Sequence, residues 1–257
     1  MAVLELLTLN IQQMNIESTN DNNSTTPAIT YSECYRLPFL SLFHADCMEI
    51  MKQYPDKYFD LAIVDPPYGI NITKNKRLNN NSVNDWDSKI PSSDYFKELK
   101  RVSKNQIIWG GNYFIEHLSN TRCFINWDKL NHSDTYADCE MAWTSFDRNA
   151  KIFKYMWDGN RYGYEGNIKG VGKPTIRFHP TQKPIELYDF CIKEFATEGM
   201  KILDTHFGSG SIALAVDKAN RLDKMNLHLT ACEIDKEYID KAIKRISESI
   251  KQCTLSF

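Results

Sequence analysis

Four stretches of this chain are almost wholly apolar, and each runs into an acid: LPFLSLFHAD, FDLAIVD, KILD and LHLTACE. Apolar runs without alternation read as strands buried on both faces, which is what parallel sheets require. Helical spacing separates them in CMEIMKQYP, in SSDYFKELKRVS behind a serine cap, and in PIELYDFCIKEFA, which Pro184 opens. SGSIALAVDKA and KEYIDKAIKRISESI complete the helices, while QIIWGG, CFINWDK and CEMAWTSF add strands. The expected fold is α/β, a doubly wound, mostly parallel Rossmann-like sheet. Ligands of such sheets bind beyond the carboxyl ends of the strands. Asp46, Asp65, Asp204 and Glu233 all stand at such ends, so one site is expected to draw on all four.

The 257 residues suit one domain with one core. Residues 1–34 read as a flexible N-terminal extension, polar after a short amphipathic start, and 35–257 as the folded domain. No apolar run is long enough to span a membrane. The start MAVLELLTLNIQQM lacks a basic n-region and a cleavage site, so no signal peptide is expected. Seven scattered cysteines without a CxxC suggest neither a disulfide framework nor a zinc site, and fit a reduced, cytoplasmic protein. A net charge of -2 argues against a strongly basic nucleic-acid binder. Four acids and no base fall within residues 1–35, which leaves +2 for the rest; affinity for a polyanion must come from a local patch.

In LDTHFGSGS a strand turns into a helix through Gly208, Ser209 and Gly210, a loop that lets backbone amides approach a ligand. It is neither GxGxxG nor a P-loop. Glu233, ending the next strand, is placed to accept the hydroxyls of a ribose. In DPPY, the Asp65 carboxylate and the Pro66 carbonyl can accept both hydrogens of an exocyclic amine on a nucleobase. That pulls the nitrogen toward tetrahedral geometry and aims its lone pair at an electrophile. Pro66 and Pro67 fix the backbone, preorganised acceptors of this kind stabilise developing charge, and Tyr68 offers a ring on which an extruded base can stack.

Together DPPYGI, FHPTQKPIELY and LDTHFGSGS resemble the amino-group DNA methyltransferases that use S-adenosylmethionine. Their order resembles the β-class arrangement, a circular permutation of the class I methyltransferase fold. The resemblance spans about residues 37–250. It implies transfer of a methyl group to the 6-amino group of a flipped adenine in double-stranded DNA. It places Asp46 and Cys47 at the cofactor's adenine and Glu233 at its ribose. Asp204, Gly208, Ser209, Gly210, His179, Thr181 and Lys183 fall at the methionine end, with Lys183 suited to the carboxylate. The family usually reads Asp-Pro-Phe before its glycines; here Thr205 and His206 follow Asp204, and either His206 or Phe207 fills the aromatic's space.

Residues 147–178 carry seven basic side chains and three acids among tyrosines, a tryptophan and glycines, a composition suited to phosphate and base contacts. The family keeps its target-recognition region here. Lys151, Lys154, Arg161, Lys169, Lys173 and Arg177 are the expected DNA contacts, with Lys74, Lys76 and Arg77 from the Asn-rich loop 71–89. The resemblance admits a homodimer and a companion restriction endonuclease as further partners. Rival readings are a cytosine-N4 methyltransferase, a protein glutamine methyltransferase, which typically reads Asn-Pro-Pro-Tyr, and a non-catalytic DNA-binding protein.

Overall fold

A computed structural model describes residues 33–70, 87–131, 137–158, 161–170 and 182–254. Its strands are β1 (Glu33–Leu37), β2 (Leu40–His44), β3 (Phe59–Val64), β4 (Ser103–Trp109), β5 (Phe124–Asp128), β6 (Cys139–Thr144), β7 (Lys151–Lys154), β8 (Met156–Trp157), β9 (Arg161–Gly163), β10 (Lys169–Gly170), β11 (Lys201–Asp204) and β12 (His228–Glu233). Among the described residues, one nine-stranded sheet runs in the order β1-β2-β12-β11-β3-β4-β6-β5-β7, and β8, β9 and β10 form a small second sheet. From β2 through β12, β11 and β3 to β4 every pairing is parallel. β6 runs antiparallel to both neighbours, and β1 folds back on β2.

The parallel centre is made of the apolar runs, as burial on both faces demands. Leu61, Ala62, Ile63, Leu203, Leu229 and Ala231 are fully buried. On one face pack α3 (Ile185–Phe195), α4 (Ser211–Leu222) and α5 (Lys236–Thr254), over a core that includes Leu40, Ile202 and Ile246. On the other pack α1 (Cys47–Met51) and α2 (Ser93–Val102), over Phe43, Phe59 and Ile108. α2 buries Tyr95, Phe96, Leu99 and Val102 on one stripe, and places Asp94 in its first turn and Arg101 in its last, where the helix dipole favours them.

The first and last sheet-forming parts of the chain meet in the middle. Leu40 to His44 of β2 pair in register with Leu229 to Glu233 of β12, so β2 continues a sheet that β11 and β12 begin. The order in which the chain adds strands reverses between β11 and β3, which run parallel, so their carboxyl ends lie side by side. Binding crevices form at such switch points. No described helix is long and apolar enough to cross a membrane.

Several elements differ from expectation. Region 147–170, to which the sequence assigned no elements, holds β7 and the small sheet. These strands are two to four residues long and bury at most one residue each, so no apolar period announced them. β1 is a further unexpected edge strand, half-buried in alternation. Pro184 stands one position earlier than expected, at the N-cap of α3. The amphipathic start expected for the chain lies outside the described residues.

Candidate active site at the carboxyl edge of the sheet

Asp65 leaves β3 beside Asp204, which ends β11. The Tyr68 hydroxyl donates to Asp65 Oδ1 at 2.6 Å, closing the DPPY turn on itself. Asp87, 2% exposed, receives the backbone N–H groups of Tyr68 and Gly69 on one oxygen, at 2.8 and 3.0 Å. The Tyr68 ring rests on Gly110, which follows β4 in a left-handed conformation (φ 70°). A Cβ on Gly110 would lie 2.2 Å from Tyr68 Cε1, so only glycine admits this approach. One face of Tyr68, the ring expected to receive a base, is covered in this structure by Tyr113, stacked at 5.0 Å and 15°.

The glycine turn lies next to this. Asp204, 2% exposed, accepts from the backbone N–H of His206 at 3.0 Å. Burial, then the nearby Asp65 and Glu233, pushes its carboxyl up to about 8. Glu233 receives the N–H of Gly208 at 2.8 Å on one oxygen and those of Ile234 and Asp235 on the other, yet burial still raises its carboxyl. Gly210 (φ 70°) packs against Ile246, Phe207 and Ala242, fastening the turn to α5. Phe207 is therefore core beneath the turn. His206 points the other way, onto the edge of the Tyr95 ring, with Nδ1 2.9 Å from the Thr205 hydroxyl. Burial lowers the His206 imidazole to about 4, so it is neutral at pH 7. Asp46 stands exposed at the N-cap of α1, with Oδ1 accepting from Met48 N at 2.7 Å. Burial and Asp46 push the adjacent Cys47 thiol up to about 12.

Lys183 occupies a different place from the one expected. Its ammonium is bonded to Asp65 Oδ2 at 2.6 Å and to the Tyr68 hydroxyl at 3.0 Å, and faces Glu140 Oε2 at 3.2 Å. The side chain is 4% exposed. In this structure it serves the carboxylate of the DPPY turn rather than an open carboxylate site. Glu140, on β6, also pairs with Lys129 at 2.6 Å. Burial would raise the Glu140 carboxyl, but Lys183 and Lys129 outweigh it and hold it down at about 2. For Asp65 burial wins over Lys183, and its carboxyl lies above the ordinary range. Sequence reasoning missed both Glu140 and Asp87. A single acid in a strand and one at the end of a polar loop carry no pattern of their own.

Residues 124–244 match a family model described as DNA methylase. The chain is 24% identical to the type II methyltransferase M.HpaI of Haemophilus parainfluenzae, over 82% of this chain and 79% of that protein. It is 21% identical to M.ScaI of Streptomyces caespitosus, over 82% and 83%. By these matches the chain is similar to DNA methylases and to type II methyltransferases. The solved PvuII DNA methyltransferase (cytosine-N4-specific) is similar in fold, with a TM-score of 0.57 at 12% identity over 84% of this chain and 89% of that one.

Among the described residues, three of the four basic side chains expected to meet DNA are paired with acids of the protein itself. Lys151 bonds Glu194 at 2.8 Å, Lys154 bonds Glu165 at 2.9 Å, and Arg161 bonds Asp158 at 2.7 Å. Lys169 lies on the exposed β10. Lys74, Lys76, Arg77, Lys173, Arg177, His179 and Thr181 lie outside the described residues.

Proposed function

We propose that this methyltransferase transfers a methyl group from S-adenosylmethionine to the 6-amino group of an adenine flipped out of double-stranded DNA. The observation that carries the reading is the side-by-side placement of the DPPY turn and the Asp204–Gly210 turn at the switch point of the sheet. Asp65 supports adenine over cytosine, because an acid in the first position of this motif resembles the adenine-specific members. The proposal takes in a cytoplasmic setting, a second copy of the chain and a companion restriction endonuclease.

The cradle fits the cofactor by the chemistry of its donor set. Asp204 and Glu233 are partly or wholly buried carboxylates, and among the described residues neither pairs with a cation within the protein. A ligand bringing an ammonium, a sulfonium and ribose hydroxyls supplies what they lack. Asp204 would hold the ammonium end, Glu233 the ribose, and Asp46 with Cys47 the adenine. S-adenosylmethionine, when bound, supplies an electrophilic methyl group.

The chain's own part is to prepare the nucleophile. An exocyclic amine is weakly nucleophilic because its lone pair is delocalised into the ring. Asp65 and the Pro66 carbonyl accept its two hydrogens and oppose that delocalisation. Before the amine arrives, Asp65 holds the Tyr68 hydroxyl on Oδ1 and the Lys183 ammonium on Oδ2. These acceptors are fixed in advance by the prolines, by Asp87 and by Tyr68, so little reorganisation is needed. Flipping a base costs a few kcal/mol, and stacking returns about 1–3. The surplus proton leaves to solvent after transfer.

The test is direct. Double-stranded DNA is incubated with the protein and cofactor labelled in its methyl group, then digested to nucleosides. Label in N6-methyldeoxyadenosine is expected. Label in N4-methyldeoxycytidine would overturn the adenine assignment, and label in protein alone would overturn DNA as the substrate.

A further inference from the structure

Lys183 is the hub of the buried charges behind the DPPY turn. Three acceptors surround its ammonium: Asp65 Oδ2 at 2.6 Å, the Tyr68 hydroxyl at 3.0 Å and Glu140 Oε2 at 3.2 Å. The first two are hydrogen bonds. The third is a close charge contact without hydrogen-bond alignment, and Glu140 Oε2 is a buried atom with no hydrogen-bond partner. Its other oxygen is secured by Lys129 at 2.6 Å. β6 fixes the Glu140 backbone, because Glu140 pairs with Trp127 of β5. The Lys183 backbone is held too, its carbonyl accepting from the Ser211 hydroxyl at 2.8 Å. A small swing of the Lys183 side chain is therefore all that separates the two carboxylates.

We propose that Glu140 is a positioning residue of the reaction: it draws the Lys183 ammonium away from Asp65 when the target base arrives, leaving a carboxylate oxygen free to accept the amine. The inference rests on the amine-methylation reading given above. As long as Lys183 bonds Asp65 fully, much of the acceptor strength that should fall on the incoming amine is spent on the ammonium. Glu140 supplies an alternative seat of equal charge, so the lysine shifts without being stranded as an unpaired buried cation, which is strongly unfavourable. Asp65 also faces Tyr68, Tyr188 of α3 and Asp204 of β11, and Glu140 faces Lys129 and Lys183. Among these groups only Lys183 bonds Asp65 while touching a second carboxylate.

Glu140→Gln keeps the shape and removes the charge. In that variant Lys183 settles on Asp65 alone, and a negative neighbour of Asp65 disappears. Two readouts follow, and they move in opposite senses. The turnover number kcat is expected to fall about tenfold or more. The acid limb of the kcat/KM profile for methyl transfer to DNA is expected to move to lower pH, because Asp65 ionises more readily. The cofactor KM and the melting temperature stay near wild type, and Glu140→Asp restores part of the rate. Loss of a merely structural contact lowers the melting temperature and leaves the limb in place. A Gln variant with wild-type rate, or with a lowered rate and an unmoved acid limb, overturns the proposal. Wild type run alongside separates the two ideas. Transfer by wild type with an indifferent variant sinks the role of Glu140 alone, whereas no transfer by wild type sinks the parent reading and this one with it.

Discussion

Asp204 makes the ligand-free protein less stable than it need be, and the size of the effect follows from its setting. The carboxyl is 2% exposed and pushed up to about 8, while the unfolded chain ionises it at an ordinary value near 4. Between those values the folded state holds a proton that the unfolded state releases. Stability is therefore lost as pH rises through this window. Each pH unit is worth about 1.4 kcal/mol, so the penalty is about 3 kcal/mol at pH 6 and levels off at about 6 above pH 8. Asp204→Asn copies the protonated acid and keeps an oxygen for the His206 N–H. Urea unfolding without cofactor, at pH 5, 6 and 9, is the assay. The variant should be more stable than wild type, by a margin that grows steadily with pH. It should also bind S-adenosylmethionine about 10- to 100-fold more weakly, the worth of a hydrogen bond to a charged group. A stability difference flat with pH, or a variant less stable than wild type at pH 9, refutes the reasoning.

Asp65→Ala is expected to abolish detectable methyl transfer while cofactor binding, followed by calorimetry, stays within a few-fold of wild type; normal turnover would reject its role. Gly110→Ala forces a Cβ into Tyr68 at a left-handed backbone. It should destabilise the protein by about 1–3 kcal/mol in urea and depress transfer. Asp87→Ala strands the N–H groups of Tyr68 and Gly69 and should cost about 1–3 kcal/mol. Its kcat should fall more than its cofactor affinity, and equal effects on both would speak against a role confined to the DPPY turn.

The parts of the molecule that could be read from sequence are those where burial leaves a long signature. FDLAIVD, KILD and LHLTACE became β3, β11 and β12 because strands covered on both faces have to be apolar throughout. Their terminal acids could be placed together because parallel neighbours end at one edge. The partners of Lys183 could not. Its ammonium reaches Asp65 and Glu140 across 118 and 43 positions of chain, and that depends on where β6 sits beside β4. Asp87 faced the same obstacle, since its meaning lies in two backbone N–H groups on the far side of the 71–86 segment. The strands β7 to β10 were hidden for another reason: they bury one side chain in two or fewer and imprint no period. Sequence shows the charges of 147–178 but not their partners from elsewhere: Glu194 of α3 pairs with Lys151, and Arg122 with Asp147.

The four carboxylates nearest the switch point divide into two pairs with opposite electrostatics. Asp65 and Glu140 share Lys183, and Lys129 adds a second cation, so that half of the edge is already close to neutral. Among the described residues, Asp204 and Glu233 accept only from backbone N–H groups, and burial raises both carboxyls. A neutral amine gains little from an uncompensated negative field, but it does need well-placed acceptors, which the first pair provides. A ligand with a positive charge gains most where buried carboxyls lack a cation and can give up a proton when it arrives, which describes the second pair. On the proposed reading, one sheet edge sorts two ligands by charge, the compensated acids facing the nucleophile and the uncompensated ones the electrophile. Lys183 draws the boundary. With a neutral residue there, both halves would be acidic, and Asp65 would take up a proton and lose its strength as an acceptor.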